Sequence, residues 1–399
     1  MNQPLLLHIV QRLEGFLTKL PATIQKPILH ELTPLKELFL QQRPPRFLLT
    51  GSNKSPAQEI VSALFASAAP SLHDVLTEVY RWQEVEIAEL GKIMLLDARG
   101  MDAKSQSIVQ GELQREPGDL FFHLEETGAK IATRTRDLSA LVALCERNAV
   151  ANVSPRIIGV VLLKSAARVD SPGINCEPVS SARAAGSSKL EAAIREQPGL
   201  ADRLLQVVEI VIGAEQANMS PESQRLMSLL ATELPNQARV EMIRISRDRA
   251  AQARIAQVVV KSTSAICTAI GAQPIPLADL PILTTLQLVM VSGVMYVSGR
   301  ERSLRAATEF LAALGANVGA GMLLREGARA VLKFFPGWGN VVCGMVAGAG
   351  TYAIGKAAIV YFIEGVSLKD ARRTYLANRK KPLRQKMPRK ALPDRVARP

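Results

Sequence analysis

Between Arg46 and Glu215 the chain carries five short runs that are apolar almost throughout: RFLLTG (46–51), KIMLLDARG (92–100), DLFFHLEE (119–126), RIIGVVLLK (156–164) and QVVEIVIGAE (206–215). A strand with one wet face alternates polar with apolar residues, whereas a strand covered on both faces has no reason to. Helix-forming stretches separate the runs, among them EIVSALFASA behind the first, Leu138 to Arg147 and Leu190 to Arg195. Strands of this kind alternating with helices predict an α/β domain, a mostly parallel sheet with helices on both faces.

The character changes after Pro235. Residues 236–265 read as helical, with Arg at 239, 244, 247, 249 and 254, and no strand run follows. IGAQPIPLADLP (270–281) must break the helix, since each proline removes an N–H donor. Two uncharged stretches come next, 280–299 and 334–355, with the charged patch RERSLR (300–305) after the first. The expected organisation is therefore N-terminal amphipathic helices (1–43), an α/β domain (44–235), an all-α domain (236–376) and a basic disordered tail (377–399). The opening MNQPLLLHIVQRLEGFL has no basic start and is interrupted by Arg12 and Glu14, so it reads as an amphipathic helix and not a signal peptide.

The net charge of +13 is concentrated at one end: from Lys369 to Pro399 twelve Lys/Arg face two acids, so the rest of the chain is nearly neutral. The four cysteines, Cys145, Cys176, Cys267 and Cys343, show neither zinc-site nor disulfide-framework spacing. His8, His30, His73 and His123 are isolated and have no metal-ligand spacing with one another or with cysteine.

Three motifs sit at the ends of strand runs. The first run closes in TGSNKS (50–55), and a phosphate-binding loop reads G-x-x-x-x-G-K-[ST] because several backbone N–H groups must wrap the phosphates. Here Gly51 precedes Lys54 by only three residues, Asn53 stands where the second glycine belongs, and Pro56 removes one of the next helix's first donors. Lys54 and Ser55 keep the residue types that meet the terminal phosphates and Mg2+. The second run ends in Asp97-Ala98-Arg99-Gly100, a D-x-x-G pattern whose carboxylate would hold the metal's water shell and whose glycine N–H would face the terminal phosphate. Met101, Asp102 and Ala103 follow, so no Gln or His stands next to orient a water. Arg99 reads equally as an ion-pair partner of Asp97 or as a phosphate contact. The fourth run leads into LLKSA (162–166), where an N-K-x-D base reader would sit: Lys164 is present, but Leu163 and Ala166 replace the Asn and Asp.

In these motifs and their order, residues 46 to about 233 resemble an Era-like bacterial small GTPase domain with two motifs degraded. Residues 237 to 376 resemble the uncharacterised membrane-associated domain that follows such GTPases, on the phrases AIGAQPIPLADLPILTTLQLVMV (269–291) and FPGWGNVVCGMVAGAGTYAIGKAAIVYFIEG (335–365). The resemblance implies a P-loop GTPase-like fold, GTP or GDP with Mg2+ as ligands, and a membrane location. By it, Gly51, Asn53, Lys54, Ser55, Asp97, Gly100 and Lys164 would bind nucleotide, with Ser55 and Asp97 at the metal.

Both uncharged stretches reach the length of about 20 residues that a spanning helix needs. Their glycines and hydroxyls also suit a soluble bundle, so insertion and surface docking both stay open. The basic tail is attracted to anionic lipid, while Tyr375 as its one aromatic gives little basis for stacking on nucleic acid. The expectation is a pseudo-GTPase or weak nucleotide sensor acting as a scaffold at the cytoplasmic face of the inner membrane, integral or peripheral, with an unidentified protein partner. The alternatives are an active Mg2+-dependent GTPase with a shortened loop and a membrane scaffold that binds no nucleotide.

Overall fold

The computed structural model describes residues 26, 29, 41–52, 54–65, 80–87, 90–149, 155–164, 179–212, 221–272, 280–315 and 338–385. The described chain divides into an α/β unit, Gln42–Asp248, and a helical unit that comprises the described residues from Arg249 onward together with residues 26, 29 and 41.

In chain order the α/β unit comprises β1 (Arg46–Gly51), α1 (Ala57–Phe65), β2 (Gln83–Ile87), β3 (Gly91–Asp97), α2 (Ala103–Arg115), β4 (Leu120–Glu126), α3 (Ile131–Ala149), β5 (Arg156–Lys164), α4 (Val179–Glu196), β6 (Leu204–Ile212), α5 (Pro221–Glu233) and α6 (Asn236–Ser246). The six strands form one sheet in the order β2-β3-β1-β4-β5-β6, parallel except for the antiparallel edge pair β2 and β3. The apolar runs become the interior strands because both of their faces are covered. Phe47, Leu49, Phe122, Ile158 and Val160 point into a core shared with Ile60 and Leu64 of α1 and Leu226 and Leu230 of α5. Leu48, Leu96, Phe121, Ile157 and Val161 point into a second core with Val109 of α2, Leu138 and Leu141 of α3 and Leu190 of α4. The edge strand β2 buries Val85 and Ile87 and exposes Glu84 and Glu86, the alternation of a strand with one wet face.

The α/β unit extends past Pro235, where composition places the change. Helix α6 belongs to the sheet: Met242 and Ile245 join the first core, and Glu241 accepts a hydrogen bond of 2.5 Å from the Gln42 side-chain amide. The unit ends at Asp248, after Arg247 adopts a left-handed conformation (φ 52°) that stops α6.

The helical unit contains α7 (Arg249–Gly271), α8 (Leu280–Val297), α9 (Leu304–Gly315), α10 (Trp338–Phe362) and α11 (Leu368–Gln385). Helices α7 and α10 approach so closely that a Cβ added at Gly348 would lie 1.8 Å from Thr268 Oγ1, and one at Gly344 2.7 Å from the Thr268 carbonyl oxygen. Ile266, Cys267 and Ile270 of α7 and Leu283 and Leu286 of α8 meet Ala347 in a small apolar core. Gln287 of α8 donates to Thr351 Oγ1 of α10 at 3.0 Å, which satisfies two polar groups inside the bundle. The residues of the 1–43 segment other than 26, 29 and 41–43, and those of the tail from 386 on, lie outside the described residues.

Candidate functional site

Parallel strands place the carboxyl ends of β1, β3, β4 and β5 along one edge of the sheet. The helix after β1 packs on one face while the helices after β3 and β4 pack on the other, so the chain leaves in opposite directions on either side of β1. A crevice outside the strand ends at such a switch point is where open α/β sheets bind ligands.

Gly51, Ser55, Asp97 and Gly100 are brought together there. Gly51 ends β1 in register with Leu124 of β4, and Leu49 is in register with Asp97 of β3. The Gly100 N–H donates to the Gly51 carbonyl at 2.9 Å, and the Ala98 N–H donates to Leu49 at 2.9 Å, so the turn after β3 is tied to β1. The Arg99 guanidinium forks onto Asp97, Nε to Oδ1 at 2.8 Å and Nη2 to Oδ2 at 2.6 Å, and its Nη1 donates to the Ser55 carbonyl at 2.7 Å. The Arg99 side chain is 9% exposed and that of Asp97 23%, so the pair is largely shielded from water. Of the two readings open for Arg99, the ion pair is the one observed.

Lys54 is exposed. Lys164 ends β5, two strands from β1, and its side chain lies outside the described residues, as does Asn53 altogether. Gly51 has φ +103°, and a Cβ there would lie 2.1 Å from the Leu124 carbonyl oxygen. Glycine is therefore required at this position by the approach of β1 to β4, whatever the loop binds.

On the α3 side of the loop is a crevice of about 240 Å³ lined by Ser52, His123 to Lys130, Thr133, Arg134 and Asp137. Strand alternation sets His123 and Glu125 on the face that α3 covers, beside Thr50 of β1. Lys130 immediately precedes α3, and Thr133, Arg134 and Asp137 follow on one face of the helix at helical spacing. Arg134 grips Glu125 with two bonds, 2.7 and 2.5 Å, and Ser52 Oγ donates to Asp137 Oδ2. His123 is 1% exposed, and its Nδ1 meets Thr50 Oγ1 at 3.1 Å. Burial pushes the His123 pKa down to about 4, against the opposing pull of the Asp137 and Glu125 carboxylates. The imidazole is thus neutral at pH 7.

Sequence reasoning set His123 aside as isolated and did not single out Ser52, Glu125, Arg134 or Asp137. The signal was present as His and Glu two apart on one strand, followed by Thr133, Arg134 and Asp137 on one face of the next helix.

Among the described residues no group of three or more His, Cys, Asp or Glu side chains could hold a metal ion. Among the described residues one helical segment, Cys343–Phe362, is long and apolar enough to cross a membrane, and most of its apolar window is buried within the bundle. Ile282–Val297 is shorter than that criterion, and residues 334–337 of the second uncharged stretch lie outside the described residues. By length and composition a core helix of a soluble bundle meets the same test. No family model matches the chain, and no curated protein matches it.

Proposed function

We propose that this chain is a membrane-associated GTPase-like protein that has given up nucleotide turnover, a pseudo-GTPase whose α/β unit serves as a protein-binding scaffold. The sheet order, the single antiparallel edge pair and the turn from β1 into α1 agree with the Era-like arrangement that the motifs suggest. The observation that carries the reading is the Arg99 bridge. In a working site Asp97 would serve Mg2+ and the Gly100 N–H the terminal phosphate. Here a guanidinium neutralises Asp97 and reaches Ser55, while the Gly100 N–H is spent on Gly51. A fixed internal cation of this kind supports a nucleotide-independent conformation of the turn.

The helical unit would hold the protein at the cytoplasmic face of the inner membrane, with the basic C-terminal segment drawn to anionic lipid. The apolar length of Cys343–Phe362 favours this part of the reading.

The test is thermal unfolding of the full chain with Mg2+ and GTP, GDP or ATP, together with phosphate release. A ligand at 100 times its dissociation constant stabilises the native state by about 2.7 kcal/mol, which is readily seen. The expected result is no Mg2+-dependent shift and no turnover. Mg2+-dependent GTP hydrolysis that disappears in Lys54→Ala would replace this reading with that of an active GTPase whose shortened loop is completed by other groups.

A further inference from the structure

The length of α10 alone suits a membrane, but its neighbours in the folded unit do not. A Cβ added at Gly355 would lie 2.4 Å from the Val260 side chain, so α7 lies directly against α10 near the middle of the apolar segment Cys343–Phe362. The next residue of α7, Lys261, is exposed, and α10 itself carries Lys356 at this level, its ammonium 5.9 Å from the centre of the Tyr352 ring. If the segment crossed a bilayer with the bundle intact, both charges would stand near the hydrocarbon centre, where a charge is most costly. Helix α11 also packs against α10, burying Ala371 and Tyr375 and bringing Lys369, Arg372 and Arg373 alongside. In this fold α10 is a core helix, and lipid must be met elsewhere on the unit.

The outer face of α11 has the chemistry for it. Leu368 and Leu376 are 37% and 38% exposed, and Lys369 and Arg373 are exposed with them. At 3.6 residues per turn these four fall within a sector of about 140°, and the inward-facing Ala371 and Tyr375 lie outside it. From Leu368 to Gln385 the helix has seven Lys/Arg against one acid, Asp370. That carboxylate is engaged locally, accepting from Ser367 Oγ at 2.7 Å and from Arg373 at 3.3 Å. A face that sets leucines among cations is complementary to an anionic layer with an apolar one beneath it, which is the headgroup and acyl boundary of a bilayer. The Lys and Arg stems can lie along the apolar layer while their charges stay at the phosphates. A nucleic acid would use the same cations and gain nothing from the leucines.

We propose, resting on the membrane location in the reading above and not on its pseudo-GTPase part, that α11 is an interfacial helix: its Leu368, Lys369, Arg373 and Leu376 face seats the helical unit on anionic lipid, and α10 stays within the bundle. The attachment is peripheral. It needs apolar contact as well as charge, so attraction of the basic C-terminal segment alone does not account for it.

The test is flotation of the full chain with vesicles of phosphatidylcholine alone and of phosphatidylcholine with about 30% phosphatidylglycerol, followed by an alkaline carbonate wash. The expected result is binding to the anionic vesicles only, weakened by added salt and fully released by the wash. The double variant Leu368→Ser and Leu376→Ser, which keeps every charge, binds these vesicles at least about tenfold more weakly, since it removes apolar area that the lipid would cover. Both positions are partly exposed, and thermal unfolding without vesicles checks that the variant folds. Lys369→Gln with Arg373→Gln also weakens binding and flattens its salt dependence. Binding that is unchanged in the leucine variant, or that resists the carbonate wash, overturns the α11 site and leaves the membrane location standing. No association with either vesicle overturns both, whatever other polyanion the chain retains, and leaves the pseudo-GTPase part to its own nucleotide test.

Discussion

Replacing Gly51 by alanine separates two explanations for the glycine that opens the loop. A phosphate loop needs glycine so that backbone N–H groups can approach an anion. The alternative is that the sheet needs it. The structure gives this second explanation a magnitude. Gly51 has φ +103°, where a side chain costs about 1–3 kcal/mol. The added Cβ would lie 2.1 Å from the Leu124 carbonyl oxygen, where ordinary contact begins at 3.4 Å. The shortfall of about 1.3 Å falls on backbone, which cannot rotate away, and overpacking of this kind costs about 1–3 kcal/mol more. Gly51→Ala should therefore lose about 4 kcal/mol without any ligand present. Gly128→Ala is the control: its φ is +84°, and nothing lies within 4 Å of the new Cβ, so only the conformational cost of about 2 kcal/mol applies. Urea unfolding should be paired with amide exchange of β1 and β4, because a chain with two units need not unfold in one step. If the two variants lose the same stability, the close approach of β1 to β4 relaxes at no cost and the steric account of Gly51 fails.

Three further outcomes follow from the same geometry. Arg99→Ala leaves a partly shielded Asp97 carboxylate without its guanidinium and should destabilise the α/β unit by about 2 kcal/mol; a double-mutant cycle with Asp97→Ala should give a coupling of about 1–2 kcal/mol, and additive losses would refute the bridge. In the helical unit Gly348→Ala should cost about 2 kcal/mol, because Thr268 Oγ1, 1.8 Å from the new Cβ, is itself bonded to the Ser264 carbonyl at 2.8 Å. Gly350→Ala, with nothing within 4 Å, should be neutral or gain up to about 1 kcal/mol, and urea midpoints decide between these. His123 has a folded pKa of about 4 against an ordinary 6.5, so the unfolded chain takes up the proton first. Stability should fall by about 3 kcal/mol as pH drops from 6.5 to 4, and His123→Gln should remove that part of the slope in pH-dependent urea unfolding.

Strand positions were legible in the sequence, and for a local reason. A run such as RIIGVVLLK has nowhere to put its side chains except against covers on both faces, and the observed β5, Arg156–Lys164, coincides with it. The run at 46–51 likewise becomes β1, and that at 119–126 becomes β4 shifted by one residue at its start. Of the break expected at 270–281, residues 273–279 lie outside the described residues; α7 ends at Gly271 and α8 begins at Leu280. Of the motif residues, Gly51 and Asp97 stand at strand ends as their runs suggested, because short strand-to-helix turns leave them little freedom; that the two strands are neighbours came only from the sheet.

What composition could not decide was partnership. Helix α6 carries Glu241 and Arg244, which look like surface residues, yet both are buried, Glu241 being held by the Gln42 amide. Whether Arg99 turns toward Asp97 or toward solvent depends on where the Ser55 carbonyl lies, and that depends on how β1 and β3 pair. The crevice joins Ser52, His123 and Asp137 from three separate segments. Periodicity along the chain sets which face a residue shares with its near neighbours; only the pairing of β1 with β4 and the packing of α3 over them brings these three together.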